Sequence, residues 1–322
     1  AGAVSTNTAV GASALAANTT GSSETAFGKA ALKANTTGTE NTAVGADCLQ
    51  ANTTGSSNSV LGLFSMYSNT TGGNNTAIGR SALENNTTAS SNTAVGYQAG
   101  YSNVTGALSV FVGYQAGYTN TASYNTFVGN AAGKFNTTGT GGSFFGSGSG
   151  VTNTTGSYNT FYGNNTGAVN STGSSNVAIG GDALANNTTA SNNTAVGYQA
   201  GYSNVTGIWQ TMVGYQAGYL ATGSYNTLIG YSTGSGITTG AGNTIVGAPN
   251  GAAPAGSLIT TGSNNTLLGG YNGNQGSLDI RTASNYIVLS DGDGNPRGVC
   301  NGGGTWSFGT VTSTPGSGAI NL

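Results

Sequence analysis

The stretch SNTAVGYQAGYSNVTG, at residues 91–106, decides the fold because variants of it recur along most of the chain. Its cell Asn-Thr-Ala-Val-Gly first occurs at residues 7–11, and the glycine of the cell returns at intervals up to Gly269. Of the 15 intervals, twelve are 17 residues long, two are 16 and the last is 22. A short, nearly fixed period of this kind indicates a solenoid in which each repeat forms one turn.

A longer repeat lies on top of the short one. The segment at residues 91–106 returns as NNTAVGYQAGYSNVTG at residues 192–207, an offset of 101 residues. This offset predicts that a block of six turns has been duplicated. We expect solenoid repeats over residues 1–270 and a C-terminal β-segment or transition region over residues 271–322. Pro249 and Pro254 fall in the 22-residue interval and predict an inserted loop there, because proline interrupts a strand ladder.

Two apolar columns precede the glycines. The residue immediately before each glycine is always large, as in Val10 and Phe27, and is assigned to the core with the frequent threonine two residues earlier. The residue between them is also apolar and should face the other way. A strand that is apolar on both faces is normally buried on both, so we expect neighbouring subunits to cover the second column. The bulkiest residues of that column are the candidate subunit-interface residues Phe111, Phe127, Phe144 and Phe161.

The rest of each turn consists of two further segments. A short Ala-Leu segment, such as Ala31-Leu32, follows the glycine and should supply further core residues as a second strand or a bend. Asn-Thr-Thr-Gly, as at residues 35–38, should form a corner because Asn and Gly tolerate positive φ. Stacked corner asparagines can hydrogen-bond from turn to turn. The predicted fold is all-β: a parallel β-solenoid of about 16 turns whose subunits associate with one another.

The composition excludes several classes of function. The 322 residues include no His, 6 Lys+Arg and 8 Asp+Glu, which are too few and too scattered for paired acid–base catalysis. We therefore expect no enzyme activity, no catalytic residue and no cofactor. The chain has no basic stripe for a phosphate backbone and no apolar run long enough to span a bilayer, so we expect neither nucleic acid nor membrane insertion.

The cell at residues 7–11 and the Ala-Leu segment after it resemble the YadA-like head repeat of trimeric autotransporter adhesins, which also occurs in bacteriophage tail and capsid fibres. The resemblance covers about residues 5–270. It implies a left-handed parallel β-roll, three chains side by side, and a role in attachment. The 17-residue period of this chain is longer than the repeats typical of the adhesin heads. Residues 285–308, NYIVLSDGDGNPRGVCNGGGTWSF, resemble the segment that follows such repeats in phage fibres.

This resemblance favours a structural fibre protein of a bacteriophage, located at the virion surface and contacting other virion proteins and a cell-surface glycan or protein receptor. One alternative is the head of a bacterial trimeric adhesin that binds host or extracellular matrix surfaces. Another is an extracellular structural filament subunit that self-assembles through open strand edges. An ice-binding solenoid is disfavoured, because it needs outward threonines and these threonines are assigned to the interior.

Three sets of residues are candidate sites. Asp291, Asp293 and Asn295 in DGDGN are a weak Ca²⁺ candidate, with a tight turn as the alternative because no Glu follows at the ligand distance. The GYQAGY motifs suggest either a carbohydrate platform or filled inter-subunit grooves, the latter being favoured. Their tyrosines are Tyr97, Tyr101, Tyr114, Tyr118, Tyr198, Tyr202, Tyr215 and Tyr219. Cys48 is expected in the core and Cys300 as a free thiol.

Overall fold

A computed structural model of the chain describes residues 6–247 and 253–309. Within these residues the chain forms short strands joined by turns, and no helix. It divides into two compact units, Ala1–Asn159 and Thr160–Leu322. The predicted all-β class is confirmed.

The strands described in the first unit are each three residues long. They are β1 (Thr8–Val10), β2 (Thr25–Phe27), β3 (Thr42–Val44), β4 (Ser59–Leu61), β5 (Thr76–Ile78), β6 (Thr93–Val95), β7 (Val110–Val112), β8 (Thr126–Val128) and β9 (Ser143–Phe145).

The second unit begins with seven strands of the same length. They are β10 (Thr160–Tyr162), β11 (Val177–Ile179), β12 (Thr194–Val196), β13 (Thr211–Val213), β14 (Thr227–Ile229), β15 (Thr244–Val246) and β16 (Thr266–Leu268). Five further strands follow: β17 (Asn274–Gln275), β18 (Leu278–Asp279), β19 (Ile287–Ser290), β20 (Pro296–Cys300) and β21 (Trp306–Phe308).

Within each unit, the three-residue strands β1–β9 and β10–β16 pair in parallel from one turn to the next. Thr25 pairs with Thr42 in the first unit, and Thr194 pairs with Thr211 in the second. Equivalent residues therefore stack in register, which confirms the predicted parallel solenoid of about 16 turns. Each turn contains one strand, so the Ala-Leu segment is a bend, not a second strand.

The longest interval does not interrupt the ladder. Thr244 of β15 pairs directly with Thr266 of β16, so the extra residues leave the register intact. Pro249 lies outside the described residues. Parallel pairing continues beyond residue 270, since β16 also pairs with β19. The chain then changes to antiparallel pairing through β19, β20 and β21.

The central residue of each strand from β2 to β16 faces the interior of the coil. Ala26, Phe127 and Leu228 have no exposed surface, whereas the residues on either side of them are half-buried or exposed. Alternation places the residue before the glycine and the threonine on one face, as predicted. That face is the outer one, so the assignment of the residue before the glycine to the core is wrong.

The four candidate interface residues Phe111, Phe127, Phe144 and Phe161 belong to this interior column. None of them has exposed surface in the single chain, so their assignment to a subunit interface is also wrong. The physical reason is that alternation shows that two columns point in opposite directions, but not which of them points inward. The volume left inside the coil decides that question.

The interior is filled by two columns that exchange bulk. Where the strand centre is small, as at Ala26, a leucine enters from the bend, as at Leu32, and both are fully buried. Where the centre is Phe127, the bend position is Gly133. A Cβ atom at Gly133 would lie 2.6 Å from Cδ2 of Phe127, so the ring already occupies the space that a leucine would fill. The large and small residues keep the interior close-packed.

A buried ladder of corner asparagines runs along the turns. Nδ2 of Asn52 donates to Oδ1 of Asn35 over 2.8 Å, and Nδ2 of Asn69 donates to Oδ1 of Asn52 over 2.7 Å. Each amide also donates to a backbone carbonyl three residues on, as from Asn52 to Gly55 over 2.9 Å. These bonds confirm the predicted turn-to-turn pairing. The corner asparagines do not adopt positive φ, so their role is hydrogen bonding and not an unusual backbone conformation.

A second asparagine ladder was not foreseen. It consists of the asparagine that opens the cell, and Nδ2 of Asn58 donates to Oδ1 of Asn41 over 3.0 Å. The same Oδ1 accepts the backbone N–H of Asn58, also over 3.0 Å. The near-constant Asn four residues before each glycine was the available signal. Hydrogen bonds of this kind, made by most of the buried amides, allow a polar residue to recur in the interior.

The glycine of the cell is required for two reasons. Gly28 has φ of +144°, which side chains rarely adopt, and a Cβ atom there would lie 2.3 Å from the carbonyl oxygen of Gly45 in the next turn. Any larger residue would therefore push adjacent turns apart. This close approach explains why the column contains only glycine.

Both cysteines are buried free thiols. Cys48 takes the interior position of Ala31 in its turn, as predicted, and its burial raises the pKa of the thiol to about 12. Cys300 ends β20 and is also a free thiol, as expected.

Candidate functional site

The outer surface of each short strand consists of its first and last residues. We call this surface, over strands β2–β16, the strand face, and describe it for each unit separately. Its first residues are mostly threonine, and its last residues are large and apolar. Phe27 is 56 % exposed in the first unit, and Tyr162 is 60 % exposed in the second. No residue of the strand face is charged.

The predicted tyrosines form stacked ladders instead of open platforms. In the first unit, the ring centroids of Tyr101 and Tyr118 lie 5.0 Å apart with planes 5° from parallel. Tyr97 and Tyr114 stack in the same way at 5.4 Å. Each ring therefore covers one face of its neighbour, and a sugar ring would need an open face to pack against. This geometry disfavours the carbohydrate platform at these residues.

The glutamines of the same motifs also pair from turn to turn. Nε2 of Gln115 donates to Oε1 of Gln98 over 2.8 Å. Partial burial and the neighbouring Tyr101 raise the pKa of Tyr118, which agrees with phenol groups held close together.

The second unit repeats the arrangement. Tyr202 stacks on Tyr219 at 5.1 Å, and Tyr198 stacks on Tyr215 at 5.6 Å. The structure thus brings the eight predicted tyrosines together as four pairs, two in each unit. Whether another subunit packs on them stays a prediction.

The DGDGN segment is a turn held by an ion pair. Nε of Arg297 donates to Oδ2 of Asp291 over 3.0 Å, and Oδ1 of Asp291 accepts the backbone N–H of Asn295 over 2.8 Å. The amide of Asn295 also turns its NH₂ group toward Asp291. A Ca²⁺ ion would need these oxygens free. The Ca²⁺ candidate Asp291, Asp293 and Asn295 is therefore better explained by the alternative turn.

Metal and membrane signals are absent from the part of the chain that the structure describes. It contains no group of three or more His, Cys, Asp or Glu side chains that could hold a metal ion. The same residues include no helix that could cross a membrane.

An unforeseen feature lies at the residue just before the opening asparagine of each cell. The residue there has φ near +60° in both units, for example in Ser57 and Asn192. Small or polar residues suit this left-handed conformation, which costs an ordinary side chain about 1–2 kcal/mol. Most turns carry Ser, Asn, Glu or Gly at this position. The exceptions are Leu108, Tyr124, Tyr158, Trp209 and Tyr225, all of which have positive φ.

These exceptions are among the most exposed large side chains of the molecule. Tyr158 is 67 % exposed and Trp209 is 53 % exposed. In the second unit, Trp209 lies beside Tyr225 of the next turn, with ring centroids 5.3 Å apart and planes tilted by 40°. The available sequence signal was a bulky residue in a column of turn formers, five residues before a glycine of the cell.

The corner asparagines of the Asn-x-Thr sequences are poor sites for modification. Asn35, Asn52 and Asn69 are fully buried and hydrogen-bonded. A glycan cannot be attached to such a side chain without unfolding the turn.

Comparison with protein-family models, with curated proteins and with solved structures finds no match. The function therefore has to be argued from the geometry and from the repeat itself.

Proposed function

We propose that the protein is a structural fibre protein of a bacteriophage that contributes to host-surface attachment, and that it acts as a homotrimer. The observation that carries the proposal is the strand face. Phe27 and Ile78 in the first unit and Tyr162 and Ile179 in the second are exposed there on paired parallel strands. Parallel sheets are normally covered on both faces, and soluble monomers avoid long apolar patches.

The chemistry of the strand face suits another copy of the same chain. Threonine and aliphatic or aromatic residues alternate there, and no charged residue would be buried or repelled by an identical surface. A cyclic oligomer brings equivalent surfaces of its subunits together. Three copies follow from the resemblance of the repeat to the YadA-like head. Because the phenylalanine column lies in the interior of the coil, the proposed interface is the strand face.

A virion-surface location and contacts with other virion proteins belong to this proposal. The resemblance of residues 285–308 to phage fibres supports them over a bacterial adhesin head at a cell surface. Both assignments give the protein an attachment role, in which several weak contacts act together.

The test is the mass of the full chain in solution, measured by light scattering over a range of concentrations. We expect a discrete species of three times 31.3 kDa. The variant Phe27→Lys/Ile78→Lys should shift the mass toward the monomer, because it places charges in the interface. The matched control Thr37→Lys/Thr88→Lys changes exposed corner residues ten positions later and should remain trimeric.

Two outcomes would contradict the trimer. A monomer at all concentrations would mean that the strand face stays open. Species that grow without limit as concentration rises would favour the filament subunit, in which copies join through open strand edges.

A second candidate function is ice binding, which needs threonines on the outer surface. The threonines were predicted to lie inside, but the strands place them outside. Thr76, Thr93 and Thr194 stand on the outer surface of in-register strands about 4.8 Å apart. If the chain is monomeric, its solution should show thermal hysteresis, a gap between the melting point and the freezing point. A monomer without hysteresis would exclude this candidate.

A further inference from the structure

The exposed pair Trp209 and Tyr225 lies outside the strand face and outside the tyrosine ladders. We call it, together with Asn192 one turn before and Asn264 two turns after, the corner patch. The two rings are 53 % and 55 % exposed. Neither the indole N–H of Trp209 nor the hydroxyl of Tyr225 has a hydrogen-bond partner among the described residues.

The corner patch is built against the local preference of the backbone. Trp209 has φ of 55° and Tyr225 has φ of 65°, a conformation that turn-forming residues adopt in most other turns. Their rings do not enter the core, so packing does not compensate for the strain. Two bulky rings are thus held outside the core at a position that small or polar residues fill in most other turns.

The duplicated block offers an internal comparison. The position equivalent to Trp209, 101 residues earlier, is Leu108, and the position equivalent to Tyr225 is Tyr124. In the first unit, the ring of Tyr158 also lies over Gly141, with Cδ1 only 2.8 Å from where a Cβ atom would be. In the second unit, Gly242 follows Tyr225, and it is the Oδ1 atom of Asn264 that lies over it, 2.4 Å from a Cβ position.

The second unit therefore presents two aromatic rings bordered by amide groups. Asn192 lies on one side and Asn264 on the other. The rings are tilted by 40°, so they cover less of each other than the parallel pairs of the tyrosine ladders do. Aromatic rings next to amide donors and acceptors match a sugar ring, which has an apolar C–H face and a rim of hydroxyl groups.

The charge distribution restricts the ligand further. No Asp, Glu, Lys or Arg occurs over residues 183–278, which include the whole corner patch. An anionic polysaccharide would find no cation there, and a cationic ligand would find no carboxylate. We propose that the corner patch is a binding site for a neutral oligosaccharide. For its biological role this inference rests on the proposed attachment function, since it names the class of receptor.

The test uses the full chain with the substitution Trp306→Phe, which leaves Trp209 as the single tryptophan. Its fluorescence is followed during titration with cellohexaose, maltohexaose and chitohexaose as neutral probes, and with a heparin oligosaccharide as the anionic probe. We expect a saturable change in emission with at least one neutral hexaose and none with the heparin oligosaccharide.

Substitutions then locate the site. Tyr225→Ala should weaken binding at least about fivefold, the loss of one aromatic contact. The matched control Tyr124→Ala, at the equivalent position of the first unit, should leave the Kd within about twofold. Trp209→Leu removes the fluorescent ring, so its sugar binding is measured by calorimetry. This substitution should also weaken binding at least about fivefold. It installs the residue that the first unit carries at this corner, so it should fold.

Four results would overturn the proposal: no saturable change with any of the neutral probes, equal binding by Tyr225→Ala, binding of the heparin oligosaccharide alone, or a concentration-dependent emission shift without sugar. The last would mean that a second copy covers the patch. In the first three cases the mass of the species stays unchanged, and a monomeric mass leaves sugar binding intact, so the two proposals fail separately.

Discussion

Two groups of turns in the first unit fill the same interior in opposite ways. In the Ala–Leu turns, which contain β2, β3 and β5, the strand contributes alanine and the bend contributes leucine. In the Phe–Gly turns, which contain β7, β8 and β9, the strand contributes phenylalanine and the bend contributes glycine. Both groups have fully buried centres. The comparison teaches that the coil specifies a volume and leaves open which side of the turn supplies it.

The two groups differ in backbone strain and in ring packing. Leu32 in an Ala–Leu turn has φ of 51°, whereas glycine adopts the same conformation freely, as Gly133 does at φ of 55°. The Phe–Gly turns also stack their rings, with Phe127 and Phe144 centroids 4.6 Å apart. A phenylalanine at the strand centre is therefore accompanied by a glycine in the bend, which adopts positive φ without strain.

Exchanging the two ways of filling should give the largest effect. Gly133→Leu alone places a leucine against the Phe127 ring at positive φ, and should destabilise β8 by at least about 3 kcal/mol. Phe127→Ala alone leaves a cavity and should cost about 3–5 kcal/mol. The double variant rebuilds an Ala–Leu turn and should recover most of the loss.

Hydrogen exchange of the β8 amides is the suitable measurement, because a long repeat array need not unfold in one step. Losses that simply add in the double variant would refute the exchange of volume between the two columns. Leu32→Ala provides the converse cavity in an Ala–Leu turn, with an expected cost of about 2–5 kcal/mol.

The corner asparagine ladder should be indifferent to the type of core. Asn52 stands in the region of the Ala–Leu turns and Asn136 in that of the Phe–Gly turns. Nδ2 of Asn69 donates to Asn52 over 2.7 Å, and Nδ2 of Asn153 donates to Asn136 over the same distance. Replacing either by Ala leaves buried groups without partners and should cost about 2–3 kcal/mol at both sites.

The control for the ladder is Thr54→Ala, at an exposed corner position, which should change stability by less than about 0.5 kcal/mol. Hydrogen exchange of the backbone amides in the turns that contain Asn52 and Asn136 gives the comparison. A loss at Asn52 without one at Asn136 would show that the core type does affect the ladder.

The smallest expected effect concerns an acid in the region of the Ala–Leu turns. Glu24 occupies a position of the second asparagine ladder. Oε1 of Glu24 accepts a hydrogen bond from Nδ2 of Asn41 over 3.1 Å, while its buried Oε2 atom has no partner. Burial raises the pKa of Glu24 from its ordinary value of 4.5 to about 7. The folded state therefore binds the proton more tightly than the unfolded chain does.

Stability should be highest below pH 4.5 with respect to this group, and should fall as pH rises from 4.5 to about 7. Glu24→Gln should remove this dependence and gain about 1–2 kcal/mol at pH 8, a value reduced for partial solvation. The control Glu40→Gln alters an exposed acid and should leave the pH profile unchanged. Equal pH profiles for Glu24→Gln and the unmodified chain would refute the buried charge.

Several parts of the candidate sites could not be predicted from the sequence, for identifiable reasons. The eight tyrosines were found from their motif, but the parallel stacking that covers their faces depends on the spacing of adjacent turns. The DGDGN segment contains oxygen atoms that could bind Ca²⁺. The ion pair between Arg297 and Asp291 forms only because β20 folds back along β19. Nothing in the residue types of Trp209 and Tyr225 indicates an exposed pair, because their outward position depends on the positive φ of the backbone in adjacent turns.

The sequence by itself determined the repeat, the strand that follows each opening asparagine, the in-register parallel stacking and the corner asparagine ladder. These properties depend on a local period, which is visible without coordinates. The tertiary structure alone decided which face of each strand is interior. A three-residue strand with apolar residues on both faces has no preference of its own, so the choice falls to the closed coil. There, the central residue and the bend residue together fill the available volume, and the remaining apolar face is left on the surface.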